Sequence, residues 1–467
     1  MKRWDARGRN IPSAAVTICE IGPTCENGDM VPKDDDMPTS AVRRAARLAR
    51  LPLGAAGRAT RGLGRRLGGA SKQSVSDAAR AEAAEQVFRV LGEMKGGAMK
   101  VGQTLSLFEA FWPEEMVGPY RTHLRRLQDQ APPMPTSRVH QVLERELGAE
   151  WRSLFRDFSA RPAAAASIGQ VHRAVWAATG QPVAVKVQYP GADVALKADL
   201  DQLQRLGHVL APLAGGMDVR PLMADIARRV ADEVDYEIEA EAQQQAAEGF
   251  EGHAEFVVPH VVHHSRRVMV SEWIDGRSFA GVAEDDPDTR NELALRYVKF
   301  LFAGPQEVGL LHGDPHPGNF KVLDDGRLGI IDFGLVDRLP DGLPPAIGDL
   351  ISIANRGDAA TVTEGLRTEG FLLPRSGDVD PQELLDFLGP FLEPARTPEF
   401  HFTREWMQQE FSRVMASRDT RIARQLNLPQ DYVLIERVWL GGIAVLSQMD
   451  VRANFQQILD AYLPSWR

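Results

Sequence analysis

The chain has 467 residues, of which 43% are hydrophobic and 25% are charged, so it is a globular protein large enough for two or three domain-sized units. It has only two cysteines, Cys19 and Cys25, which excludes a disulfide framework and favours a reducing compartment. Its net charge of −10 disfavours nucleic acid as a partner. No run of 18 apolar residues is present, which disfavours a membrane-spanning helix.

Composition divides the amino-terminal region into three segments. Residues 1–36 show no hydrophobic periodicity and are predicted to be a disordered tail, with Met37 as an alternative start to Met1. Residues 37–76 carry nine Lys or Arg and no acid. Two interpretations of this basic arm stay open: contact with an anionic membrane surface, worth up to ~1 kcal/mol per basic residue, or a solvated flexible segment. Residues 77–135 show apolar residues at steps of three and four, which predicts a helical extension.

The remaining chain combines strand and helix signals and predicts an α+β fold with two lobes, residues 136–275 and 276–467. The first lobe has β-rich runs on either side of a Thr-Gly turn, and the second is mainly helical. The predicted elements are strands over Ile168–Trp176, Gln181–Gln188, Phe256–Val258, Val268–Glu272 and Leu328–Ile331, helices over Pro221–Ala247 and Asn291–Val308, and a hinge over Trp273–Gly276.

The most informative motif is His312-Gly-Asp-Pro-His-Pro-Gly-Asn319, followed after a short hairpin by Asp332-Phe-Gly. Phosphoryl transfer from ATP needs a carboxylate to orient the acceptor, and an amide oxygen with a second carboxylate to hold Mg²⁺. We therefore predict that Asp314 is the catalytic base and that Asn319 and Asp332 are Mg²⁺ ligands. Each motif alone is typical of a turn, but their order and separation indicate a kinase-like centre.

Three further parts of a nucleotide site precede this motif. Lys186, in Val-Ala-Val-Lys, occupies the position of a phosphate-binding lysine on a strand. Glu233, on the predicted long helix, is chosen as its carboxylate partner. Glu272, at the end of the strand before the hinge, is taken as a nucleotide contact. An alanine-rich segment stands where protein kinases carry a glycine-rich loop, and its predicted nucleotide-binding residues are Ala164, Ala166, Ser167 and Gly169.

In combination these motifs resemble the UbiB/AarF family of atypical kinases, from about residue 80 to 340. The match also includes Lys100-Val-Gly-Gln103 with Ser106, Leu127-Gln-Asp129, Ile168-Gly-Gln-Val-His172, Val183–Pro190, and Glu233-Val-Asp-Tyr236 with Glu239. The resemblance implies a protein-kinase-like two-lobed fold with an amino-terminal helical extension and a helical carboxy-terminal lobe. It places Lys100 and Gln103 over the nucleotide cleft, near Glu233 and Asp235, where they would exclude a protein substrate.

The resemblance implies an Mg-ATP-dependent kinase or ATPase, binding ATP or ADP, that supports isoprenoid-quinone or lipid metabolism. The expected location is cytoplasmic, with peripheral attachment at the inner face of the membrane. The expected partners are quinone-pathway enzymes, an isoprenoid lipid and an anionic membrane surface. Two alternatives stay open: a nucleotide-gated scaffold without useful turnover, and a small-molecule phosphotransferase of the aminoglycoside/choline-kinase type, which shares the His-Gly-Asp and Asn spacing.

Overall fold

The computed structural model describes residues 134–166, 168–192, 234–372, 379–417, 422 and 425–466. Within these ranges an antiparallel sheet comes first in the chain and a mainly helical region follows it. The elements of the first part are α1 (Thr136–Leu147), β1 (Phe155–Arg156), β2 (Ala164–Ala166), β3 (Gly169–Trp176), β4 (Pro182–Gln188), α2 (Tyr236–Gly249), β5 (Phe256–Val257), β6 (Val261–Ser265) and β7 (Val268–Glu272).

The sheet has the strand order β1-β3-β4-β7-β6, and β2 pairs with β3 as a hairpin. Because side chains alternate along a strand, Val183, Val185 and Val187 share one face of β4, where they join a core with α1. Lys186 lies on the opposite face, directly across from Met269 of β7. The alternation read from the sequence therefore separates the apolar core from the face that carries the lysine.

Helix α2 begins at Tyr236 because Asp235 caps it: the backbone at Asp235 is extended and its side chain accepts from the Glu237 N–H at 3.1 Å. The prediction of one helix over Pro221–Ala247 is therefore wrong at this point, since Val234 and Asp235 are not helical. Aspartate favours a helix start over a helix interior, and the apolar periodicity concealed that break.

The helical region is built around α3, whose Tyr297 and Phe300 are buried in the largest core with Phe320. The short strands that flank the His312–Asn319 and Asp332–Gly334 motifs all follow this helix in the chain. The elements of this region are β8 (Arg277–Ser278), α3 (Pro287–Ala303), β9 (Leu310–His312), β10 (Phe320–Val322), β11 (Leu328–Ile330), β12 (Val336–Arg338), α4 (Pro345–Asn355), α5 (Ala359–Thr368), α6 (Pro381–Arg396), β13 (Phe400–His401), α7 (Arg404–Ser417), α8 (Val433–Gln448), β14 (Arg452–Ala453) and α9 (Gln456–Tyr462).

Most predicted strands are confirmed to within two residues, including the turn at Gly180, where φ is +75°. Strand β6 was not predicted, because two of its five residues are histidines and its apolar run is short. The predicted helix over Asn291–Val308 is α3 continued by one wider turn over Gly304–Val308. Among the described helices, none has the length and hydropathy needed to cross a membrane.

Candidate active site

Lys186 lies between two carboxylates that come from different parts of the fold. Its Nζ is 2.5 Å and 2.8 Å from the two carboxylate oxygens of Glu239, and 3.5 Å from Oδ2 of Asp332. Lys186 comes from β4, Glu239 from the first turn and a half of α2, and Asp332 from the loop after β11. Three charged side chains thereby connect the sheet, the helix and the loop that follows the catalytic motif.

Electrostatics keeps this lysine charged. Burial alone would lower the pKa of Lys186, but the nearby carboxylates of Asp332 and Glu239 outweigh burial and raise it well above its ordinary value. Glu239 is itself buried, with 5% of its side chain exposed, whereas Asp332 is 36% exposed. Lys186 therefore stays positively charged, bound by the buried carboxylate of Glu239, and the carboxylate of Asp332 lies on its more exposed side.

The structure pairs Lys186 with Glu239, whereas the predicted partner is Glu233, which stays a prediction. Glu233 lies outside the described residues, and the side chain that the structure shows on Lys186 belongs to Glu239, within α2. Glu239 is among the residues that carry the family resemblance, but no role was predicted for it. A helix that starts at Tyr236, after an N-cap at Asp235, places Glu239 in its first turn on the same face as Tyr236.

The alanine-rich segment is a β-hairpin. Ala164 and Ala166 of β2 lie across from Val171 and Gly169 of β3, and Ser167 lies outside the described residues. The tip is held against α2, since Ile168 is buried in a cluster with Tyr236 and Met269. Glycine is required at 169, because a β-carbon there would overlap the carbonyl oxygen of Val187.

Glu272 does not share the site of Lys186 through its side chain. The register pairs Glu272 with Val183, so it lies on the face of the sheet that carries the valine core. Its carboxylate accepts from the His260 backbone N–H at 3.1 Å, and its own N–H donates to the His260 carbonyl. The side chain of Glu272 therefore stabilises the end of the sheet, and the nucleotide contact of this residue stays a prediction.

The two loops that carry Asp314 and Asp332 leave the same small ribbon. Strands β9 and β12 pair with His312 opposite Val336, and the Gly313 N–H donates to the Leu335 carbonyl at 2.8 Å. His312 Nε2 donates to the Asp332 carbonyl at 2.5 Å, because a carbonyl only accepts. His312 therefore positions the loop that carries Asp332.

Asp314 and Asn319 are both buried in the loop between β9 and β10. Asp314 is 7% exposed and Asn319 is 8% exposed. The Asn319 Nδ2 donates to the Asp314 carbonyl at 3.1 Å, and the Asn319 carbonyl accepts from the Ile331 N–H at 3.0 Å. The hydroxyl of Tyr297, on α3, donates to the Pro315 carbonyl at 2.6 Å. These bonds hold the loop beside the residue that precedes Asp332.

The donor set fits a magnesium–nucleotide complex. The Asn319 amide nitrogen is used by the Asp314 carbonyl, so the amide oxygen is the atom left to bind a cation. A carboxylate and an amide oxygen are the hard ligands that Mg²⁺ takes, with phosphate oxygens completing its shell. Lys186 supplies the positive charge that phosphates require. Lys100 and Gln103, which were predicted to cover this cleft, lie outside the described residues.

A small antiparallel sheet that carries a lysine–glutamate pair, above two loops that carry the Asp, Asn and Asp motifs, is the arrangement of a protein-kinase-like fold. Residues 126–366 match the ABC1 atypical kinase-like domain. The chain therefore belongs to the family of ABC1 atypical kinase-like proteins, which includes the COQ8 and UbiB proteins. The predicted kinase-like fold with a helical carboxy-terminal region is confirmed, while the helical extension lies outside the described residues.

Two relatives show the extent of the similarity. The chain is 30% identical to the mitochondrial atypical kinase COQ8B of Danio rerio over 62% of this chain and 46% of the relative. It is 29% identical to the chloroplastic protein ACTIVITY OF BC1 COMPLEX KINASE 3 of Arabidopsis thaliana over 78% of this chain and 50% of the relative. The chain spans about half the length of the curated relatives it matches.

Among solved structures, the chain is similar to the complex of Rv3197 with erythromycin from Mycobacterium tuberculosis. The two sequences are 40% identical, the TM-score is 0.64, and the match covers 85% of this chain and 99% of that one.

Proposed function

We propose that this protein is an Mg²⁺-dependent atypical kinase or ATPase of the UbiB type that uses ATP or ADP. The observation that carries the proposal is the position of Lys186 between the buried Glu239 and the more exposed Asp332. A buried glutamate on the lysine keeps it charged and oriented, and an aspartate beside it provides a metal ligand next to the same phosphates. An ion pair with a purely structural role would have no need of Asp332.

Each residue of the centre has a separate role in this proposal. Lys186 binds the phosphates, and Glu239 orients it. Asn319 and Asp332 hold Mg²⁺, which when bound offsets the negative charge of the phosphates. Asp314 orients the acceptor, a hydroxyl or a water molecule, and accepts its proton. The Tyr297 and Asn319 hydrogen bonds keep the loop of Asp314 in place.

The test is ATP hydrolysis by the purified full chain with Mg²⁺, with and without anionic liposomes, beside Asp332→Asn. Asp324→Asn is the matched control, since Asp324 is exposed in the turn between β10 and β11. Turnover in the wild type and in the control, but not in Asp332→Asn, would support the proposal. Nucleotide binding without turnover in any condition would favour the nucleotide-gated scaffold, and binding that is unchanged in Asp332→Asn would overturn the metal assignment.

We further propose that the activity serves isoprenoid-quinone or lipid metabolism at a membrane surface, with quinone-pathway enzymes as partners. The family resemblance supports this role, and the basic arm over residues 37–76 is the proposed anchor at the inner face of the membrane. A cytoplasmic location with peripheral attachment follows from this proposal. Stimulation of turnover by anionic liposomes, and its loss when residues 37–76 are deleted, is the expected result. Equal stimulation of the deletion variant would exclude the arm.

A second candidate function is binding of a macrolide-like small molecule. It is favoured by the similarity to the Rv3197–erythromycin complex, which covers nearly all of that chain at 40% identity. Calorimetry with erythromycin, in the presence and absence of Mg-ADP, tests it. Saturable binding would add a small-molecule site to the proposed ATPase, and heat that does not exceed the dilution control would remove this candidate.

A further inference from the structure

Tyr236 has no role in the site described so far, yet it lies beside the charged centre formed by Lys186, Glu239 and Asp332. It is the first residue of α2, is 1% exposed, and has its ring centroid 5.1 Å from Nζ of Lys186. Its hydroxyl reaches the hairpin: a β-carbon built on Gly169 would come within 2.7 Å of it. The side chain therefore extends from the helix, past the lysine, to the start of β3.

The hydroxyl of Tyr236 is buried without a hydrogen-bond partner among the residues that the structure describes. Other buried tyrosines in the described ranges are paired: the hydroxyl of Tyr297 donates to the Pro315 carbonyl, and that of Tyr432 to the Glu369 carboxylate, each at 2.6 Å. Buried polar groups are rarely left unpaired, and an exception calls for a missing partner. A ligand bound beside the charged centre would supply that partner.

The chemistry of the site identifies what kind of atom that partner is. Burial raises the pKa of the Tyr236 phenol well above its ordinary value, an effect that the neighbouring Lys186 only partly opposes. The phenol therefore keeps its proton at neutral pH and acts as a donor. Next to a lysine ammonium, the acceptor that fits is an anionic oxygen.

The strand register shows which end of β4 lies near Tyr236. Gly169 lies across from Gln188, at the carboxyl end of β4. The predicted hinge begins at Trp273, whose N–H donates to the Pro182 carbonyl at the other end of the same strand. Six residues of extended strand separate the two ends by about 20 Å. Tyr236 is therefore at the end near Lys186, where the phosphates would lie, and far from the hinge, where a base would lie.

We propose that the Tyr236 hydroxyl donates a hydrogen bond to a phosphate oxygen of the nucleotide that Lys186 binds. This inference rests on the proposed function and adds a phosphate-binding residue to it. The bond forms only in the complex, which distinguishes Tyr236 from a residue that stabilises the free fold. Removing the hydroxyl should therefore weaken nucleotide binding without weakening the free protein.

The experiment compares Tyr236→Phe with Tyr297→Phe and the wild type, all as the full chain. Thermal unfolding without nucleotide measures stability, and calorimetry with Mg-ADP, Mg-ATP and adenosine measures affinity. Tyr297→Phe is the matched control, because it removes the same atom from an equally buried tyrosine whose hydroxyl has a partner.

For Tyr236→Phe we expect an unfolding midpoint equal to or above that of the wild type, since an unpaired buried hydroxyl is removed. We expect affinity for Mg-ADP and Mg-ATP to fall roughly ten- to hundredfold, the effect of losing a hydrogen bond to a charged group, with adenosine affinity unchanged. Tyr297→Phe should instead lower the unfolding midpoint by about 2 °C or more.

The outcomes separate this inference from the proposed function. Wild-type binding of Mg-ADP together with unchanged affinity in Tyr236→Phe would overturn the inference alone. A lowered midpoint in Tyr236→Phe would also overturn it, because the hydroxyl would then have a partner in the free protein. Absence of nucleotide binding in the wild type would overturn the proposed function and the inference with it.

Discussion

Lys186 Nζ lies 2.5 Å from one carboxylate oxygen of Glu239, and this bond joins the sheet to helix α2. The two residues are 53 positions apart in the chain, so the bond exists only when β4 and α2 pack together. The same ammonium is 3.5 Å from Asp332 Oδ2, which connects the pair to the loop beyond β11. The arrangement of Lys186, Glu239 and Asp332 leads to predictions for stability, for turnover and for nucleotide preference.

Glu239→Gln should destabilise the folded protein by up to about 3 kcal/mol. Removing one partner of a buried ion pair leaves the other charge uncompensated, and Asp332 offsets only part of that cost. Urea unfolding measures the change, and Glu237→Gln is the control because Glu237 is exposed on the same helix turn. Equal stabilities of the two variants would contradict a stabilising role for the pair.

The pH dependence of this pair has a definite sign. The pKa of Lys186 is raised in the folded state, so its stabilising charge is fully present below the ordinary lysine pKa and is lost only as pH rises above that value. The stability difference between wild type and Glu239→Gln should therefore be constant from about pH 6 to pH 9. A difference that disappears within this range would show that Lys186 titrates there.

Asp314→Asn should retain nucleotide binding and lose turnover by roughly 10²- to 10⁴-fold, the usual contribution of a general base. The amide keeps the shape of the buried side chain but cannot accept the acceptor's proton. Parallel measurements of Mg-ADP affinity and initial hydrolysis rate test this expectation, with Asp324→Asn as the control. Turnover equal to that of the wild type would leave Asp314 with a structural role only.

Ala166→Gly should loosen the hairpin and change the ratio of ATP to ADP affinity. Ala166 pairs with Gly169, so it shares the face of the sheet that carries Lys186. Ala165→Gly is the control, because it gives the strand the same added backbone freedom from the opposite face. Titration with each nucleotide measures the ratio. The same change of this ratio in both variants would show that it comes from backbone freedom alone. An unchanged ratio in both would contradict a role of Ala166 in nucleotide preference.

Acid should destabilise the protein through His172, which is buried and neutral. Its Nδ1 donates to the Ser159 carbonyl at 2.7 Å, so Nε2 is the acceptor for the Gln170 amide at 2.8 Å. Burial lowers the pKa of His172, the Ser159 carbonyl opposes that effect, and His140 adds to it. The unfolded state therefore binds a proton first, and stability falls as pH drops below about 6.5.

His172→Asn keeps a donor for the Ser159 carbonyl and removes the titrating ring. Its unfolding free energy should be lower than that of the wild type at neutral pH but should fall less steeply in acid, by up to about 1.4 kcal/mol per pH unit. An identical slope in the wild type and in His172→Asn would show that His172 does not contribute to acid unfolding.

Several parts of the site follow from local sequence. Asp314 and Asn319 belong to one loop, and Asp332 follows that loop after a single hairpin. Their short separation in the sequence is therefore enough to predict that they lie close together. Lys186 follows from the alternation of valines on β4. Each of these arguments concerns residues close in the chain, where geometry is limited by the strand and the turn.

Other parts depend on how distant segments meet. Sequence order placed Glu233 beside Lys186, but the carboxylate that the structure places there is Glu239, because α2 begins at the Asp235 cap. The face on which Glu272 lies is set by its pairing with Val183 in another strand. Strand β6 exists through its bonds to β7, since its own residues favour a strand only weakly.

The sequence by itself therefore determined the class of fold, the order of its elements and the chemical types of the catalytic loop, because these depend on periodicity and short spacing. The tertiary structure decided which glutamate holds Lys186, which face Glu272 occupies, and that the Tyr236 hydroxyl is buried without a described partner beside Gly169. These outcomes depend on distances between segments tens of residues apart, and such distances are set only when helix, sheet and loops pack together.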